Sequence, residues 1–142
     1  MVSISSAFDG GNIELASRAP GSIQLRIKPD PYTELEKKSH MQSFAFRAIA
    51  HSAAAPQKVV YEIINAKDAS FPDAWQGTTV RYSTDMQTWQ HVGSTCYDEV
   101  KGVLRWEWTH SGADASVYFA YFDLYPYERH LRLVGKCQAL MR

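Results

Sequence analysis

The residues best able to hold a metal or move a proton are the five histidines, His40, His51, His91, His110 and His130. None sits in an H-E-x-x-H or H-x-x-E pair, the spacings that bring two ligands onto one face. A hydrolytic zinc needs three protein ligands and an open position, so the sequence predicts no metal site. Cys96 and Cys137 have no C-x-x-C partner and give neither a thiolate zinc site nor a redox motif. They read as reduced thiols, Cys96 near a turn and Cys137 in a helix, and spacing leaves a disulfide between them open.

Nucleophilic chemistry is no better supported. There is no G-x-S-x-G elbow. Cys96 with His91 or His110 could imitate a thiol–imidazole pair, but no motif surrounds it. Gly10-Gly11 lacks the spacing and the lysine of a phosphate loop. Asp68, Asp73, Asp98 and Glu99 fall in polar loops, where carboxylates face water, and nothing marks them as a functional site. No catalytic residue is expected.

Aromatic side chains are the remaining signal. Trp106 and Trp108 alternate with Arg105 and Glu107 and read as core, because a half-buried strand turns every second residue inward. Trp75 lies in an irregular stretch, where a large aromatic either folds back on the domain or meets a partner. With Trp89, these residues could also form a stacking platform for sugars.

The elements that must position these groups are mostly strands. Alternation marks Ile13/Leu15, Ile23/Leu25/Ile27, Phe44/Phe46/Ala48, Val59/Tyr61/Ile63 and Leu104/Trp106/Trp108. Val80/Tyr82 and Trp89/His91-Val92 read as a hairpin closed by Ser83-Thr84-Asp85-Met86. Residues 33–40 read as a loop or a single helical turn, 51–56 as an alanine-rich connection, and 65–77 as an irregular loop. Residues 116–122 are apolar on both faces, which predicts cover on both sides. From Pro126 the period changes, and Tyr127, Leu131, Val134 and Met141 fall near one helical face. Short strands separated by turn signals predict a mainly β fold, an antiparallel β-sandwich with a short C-terminal helix, as one domain over 1–142.

The chain has 142 residues, with 15 basic and 15 acidic side chains. A neutral chain has no global attraction to nucleic acid or to an anionic membrane. The first eleven residues lack the basic and apolar regions of a signal peptide, and no stretch is long enough to span a membrane. The expected location is the cytoplasm.

Several stretches, in this order, resemble one family. They are Ile4-Ser5-Ser6-Ala7-Phe8-Asp9-Gly10-Gly11-Asn12, the segment around Phe44 and Phe46, and Asn65-Ala66-Lys67-Asp68-Ala69-Ser70-Phe71-Pro72-Asp73-Ala74-Trp75. Val80-Arg81-Tyr82-Ser83-Thr84-Asp85 with Trp89 follows, and then Val117-Tyr118-Phe119-Ala120-Tyr121-Phe122 running into Tyr125-Pro126-Tyr127-Glu128-Arg129-His130-Leu131. Together they are similar to the N-terminal domain of the cytosolic carboxypeptidases and their bacterial relatives. The resemblance implies an antiparallel sandwich placed before a zinc carboxypeptidase domain. That domain would carry the H-x-x-E zinc site, the general base and the arginine for the substrate carboxylate, none of which matches a position here.

On this reading the chain is a non-catalytic accessory domain. Its partner is a catalytic carboxypeptidase domain in cis, zinc belongs to that domain, and the parent's substrate is a peptide or protein. Trp75, Tyr118, Tyr121, Phe122, Tyr125, Tyr127 and Arg129 are the expected interface residues, with Arg129 able to pair with a carboxylate across the junction. Tyr118, Phe122 and Tyr125 would form the contact patch, unless the C-terminal helix covers it. The competing reading is a free-standing carbohydrate- or ligand-binding sandwich.

Overall fold

Period-two alternation sets the architecture. The structure, a computed structural model, describes residues 1–51, 56–112 and 116–141. The connection expected at 51–56 falls mostly outside the described residues. One five-stranded sheet has the order β1 (Val2–Ser5), β4 (Ala45–Ala50), β10 (Ser116–Ala120), β6 (Arg81–Ser83), β7 (Gln90–His91). The second five-stranded sheet runs β2 (Glu14–Ala19), β3 (Ser22–Arg26), β5 (Gln57–Ile63), β9 (Val103–His110), β8 (Cys96–Asp98). Together they make the expected β-sandwich. All pairings are antiparallel except β3 with β5, which run parallel. After β3 the chain passes through α1 (Glu34–Lys37), crosses to the first sheet as β4, and returns as β5 in the direction of β3. A parallel pair needs such a crossover.

The core follows the alternation. Val59, Tyr61 and Ile63 of β5 and Leu104 and Trp106 of β9 turn inward and are buried. They meet Phe44, Phe46 and Ala48, and Val117 and Phe119, from the first sheet. Trp106 lies at the centre, stacked on Phe44 at 5.9 Å and on Tyr61 at 5.5 Å between ring centroids. Trp108 is half-buried at the rim, edge-on to Phe119 at 5.4 Å. The inward array is therefore aromatic on both sheets, and burial of this area supplies most of the driving force.

The irregular stretch 65–77 folds back onto the domain as two 3-10 turns, Ala66–Asp68 and Pro72–Trp75. Asn65 anchors it. Its Oδ1 accepts from Ile27 N at 3.0 Å and its Nδ2 donates to Ile27 O at 3.0 Å. The amide thus satisfies backbone groups just beyond β3, as buried peptide groups require.

The double-sided character of β10 has a local explanation. Val117 and Phe119 face the core, while Ala120 faces outward with Ala45 and Leu124. Phe8, Met86 and Trp89 pack over this small outer cluster. The cover comes from two loops. The C-terminal helix α2 (Tyr127–Leu140) stands further out, and none of its residues is buried. Among the described residues, no helix is long and apolar enough to cross a membrane.

Candidate domain interface

The segment after β10 carries most of the expected interface residues. Phe122, Tyr125 and Tyr127 are 51%, 53% and 66% exposed. A contiguous exposed apolar patch is a candidate contact site. Arg129 is exposed, its guanidinium lies 5.4 Å over the Tyr125 ring, and it donates to Leu124 O at 3.1 Å. Its hydrogen bond goes to a carbonyl, so within this chain it serves to hold the turn into α2. Tyr118 is half-buried and meets Phe8 edge-on at 5.4 Å. Tyr121 is half-buried and packs edge-on against Trp75 at 5.1 Å.

Trp75 departs from the interface expectation. It is fully buried, and its Nε1 donates to Ala66 O at 2.8 Å. The two 3-10 turns tuck it beneath Phe44 and Tyr121, so it reaches a surface only through Tyr121. An aromatic in a stretch without period gave no sign of its direction.

Sequence reasoning missed the far side of this surface. Asp9 Oδ2 accepts from Tyr127 N at 2.7 Å, satisfying one of the free N–H groups at the start of α2. A groove of about 780 Å³ runs between α2 and the sandwich. Phe8, Met86, Tyr125 and Leu133 supply its apolar wall, with Arg132 and Lys136 along its edge. Met86 is presented by the hairpin between β6 and β7. There Asp85 Oδ1 accepts from Gln87 N and Thr88 N, both at 2.8 Å. Those N–H groups, with Ser83, hold the Asp85 carboxyl at about 2. Nearby, Asp123 pairs with Arg81 at 2.5 Å, and the guanidinium holds its carboxyl below the usual range. Leu131, Val134 and Leu140 of α2 are also exposed.

Among the described residues, no group of three or more His, Cys, Asp or Glu side chains is placed to hold a metal. His91 is tied to Thr79 and Arg81, and His110 to Tyr61. Cys96 and Cys137 are exposed free thiols in different elements.

Comparison with known proteins defines the class. Residues 4–122 match the model of the cytosolic carboxypeptidase N-terminal domain, and the chain belongs to this family. It is 32% identical over 133 residues to an uncharacterised protein of Zymomonas mobilis, covering 94% of this chain and 32% of that one. A metallo-carboxypeptidase of Burkholderia cenocepacia superimposes with a TM-score of 0.79 at 29% identity, over 97% of this chain and 33% of that one. One from Pseudomonas aeruginosa, in complex with (2-guanidinoethylmercapto)succinic acid, gives 0.78 at 30% identity over 96% and 34%. The chain spans about a third of the length of these relatives.

Proposed function

We propose that this chain is the non-catalytic N-terminal domain of a zinc metallocarboxypeptidase, and that it packs on the catalytic domain through α2 and the turn leading into it. The observation that carries this reading is the exposure of α2. None of its residues is buried, yet Leu131, Leu133, Val134 and Leu140 are apolar. A helix apolar on more than one side is built to be covered on more than one side. Phe122, Tyr125 and Tyr127 extend the apolar surface at its start. The neighbouring domain would hold the zinc, which would supply the activated water for peptide hydrolysis. This domain would brace it and border the approach of a peptide or protein substrate. The free thiols Cys96 and Cys137 support a reducing compartment such as the cytoplasm.

The carbohydrate-binding alternative drew on the sandwich and on Trp75, Trp89, Trp106 and Trp108 as stacking faces; Trp75 and Trp106 are fully buried and offer none, and Trp89 and Trp108 are half-buried. The test is amide hydrogen exchange on this chain alone and on a chain that continues into the catalytic domain. Residues 125–140 should be strongly protected only in the longer chain. Leu131→Arg should lower the melting temperature of the longer chain and leave this one within about 0.5 kcal/mol. Equal exchange in both chains would refute the docking surface.

A further inference from the structure

The groove between α2 and the sandwich is lined by charge as well as by apolar surface. Glu128, Arg132 and Lys136 all border it. They follow one another four residues apart, so each stands about 6 Å further along the helix axis on one side of α2. Leu131 and Val134 do not line it, so the groove and the apolar surface they form are separate parts of the helix.

These three charges are unspent. None of the three side chains has an ion pair or hydrogen bond among the described residues, and Glu128 does not pair with Arg132. The other charged groups of the lining are engaged. Asp9 accepts from Tyr127 N, and Asp85 accepts from Gln87 N and Thr88 N. Arg129 donates to Leu124 O and lies over the Tyr125 ring. What the groove still offers is one carboxylate, then two cations, facing the apolar wall of Phe8 and Met86.

We propose that a segment of the catalytic domain seats in this groove, bringing two carboxylates to Arg132 and Lys136, a donor to Glu128, and an apolar side chain to Phe8 and Met86. The inference rests on the docking reading above and adds what the docking partner must carry. Charge complementarity selects a segment of this kind, because a small free anion would meet the two cations and leave the apolar wall in water. Tyr125 ties the groove to the docking surface, since it lines the one and, at 53% exposure, belongs to the other.

The test measures peroxide oxidation of Met86, on the sandwich wall, in this chain and in a chain that continues into the catalytic domain. Oxidation of a thioether follows its exposure, so the rate should fall about tenfold in the longer chain. Arg132→Glu with Lys136→Glu should return the longer chain to within about twofold of the exposed rate, because like charges then face each other. Arg132→Lys with Lys136→Arg keeps both charges and should keep Met86 shielded. Protection of residues 125–140 from hydrogen exchange in the longer chain, with equal Met86 rates in both chains, would overturn the groove and leave the docking of α2 standing. Absence of that protection would overturn the docking reading and the groove with it. Shielding that survives the charge reversal would overturn the acidic partner.

Discussion

Asp9 and Tyr127, 118 residues apart in sequence, are joined by a 2.7 Å hydrogen bond from the Tyr127 backbone N–H to the Asp9 carboxylate. The residue at the helix N-cap is Pro126, which offers no side-chain acceptor. Asp9 supplies from a distant loop the acceptor that a local Ser, Thr, Asp or Asn normally provides. Its negative charge also sits at the positive end of the helix dipole.

Asp9→Ala should therefore loosen the first turn of α2 and leave the sandwich intact. The expected loss is about 0.5–2 kcal/mol of local stability, the range of N-cap deletions. Hydrogen exchange at residues 127–130 should rise while β4, β5 and β9 keep their protection. Asp9→Asn, which retains an acceptor without the charge, should fall between. Unchanged exchange at the helix start would show that α2 does not depend on this tie.

The loop that carries Phe8 and Asp9 is itself closed by a backbone requirement at Gly11. A Cβ on that residue would lie 2.1 Å from Ser6 O, a backbone atom. The turn cannot yield easily, because Phe8 N bonds to Ser6 O and Gly11 N to Phe8 O, both at 2.9 Å. Gly11→Ala should displace the loop and release both the Asp9 tie and the Phe8–Tyr118 contact. Near-ultraviolet circular dichroism should report the aromatic change, and exchange at residues 127–130 should match or exceed that of Asp9→Ala. A variant with native exchange there would disprove the linkage.

What the sequence made legible was the part governed by period. The alternation of Leu104, Trp106 and Trp108 placed β9 and its inward face, and the change of period after Pro126 placed α2. Short edge strands were harder. Cys96–Asp98 carries no apolar alternation and is a strand only because it pairs with β9. Val2–Ser5 is likewise held by its ladder to β4. The parallel pairing of β3 with β5 is a property of the crossover, which no local pattern encodes. The two-faced reading of β10 was sound, but its cover, Phe8, Met86 and Trp89, comes from loops remote in sequence.

Trp75 illustrates the limit most sharply, since its direction depends on two 3-10 turns. Because its Nε1 donates to Ala66 O in the interior, Trp75→Phe should orphan that carbonyl and remove volume at once. The expected cost is about 1–3 kcal/mol for the unmet acceptor, before any cavity contribution. Chemical denaturation checks this. A change below about 0.5 kcal/mol would mean that Trp75 is not the packed core residue described.

His110 gives the fold a dependence on acid. It is 3% exposed and lies 2.7 Å from the Tyr61 hydroxyl through its Nε2. Burial raises the Tyr61 pKa, so the phenol keeps its proton across the ordinary range and can donate to the neutral imidazole. Burial also lowers the His110 pKa from its usual 6.5. Below pH 6.5 the unfolded chain takes up a proton at this position that the folded chain resists. The contribution of His110 is thus complete above that pH and is lost as pH falls from there toward the lowered folded value. Denaturation midpoints measured from pH 8 to about 5 should decline below about pH 6.5. His110→Asn should be less stable at pH 8 but show a shallower decline, because it lacks the imidazole that takes up a proton on unfolding. Tyr61→Phe, which strips the buried imidazole of its partner, should cost about 1–3 kcal/mol at pH 8. Equal slopes for the native chain and His110→Asn would assign the acid sensitivity to other groups.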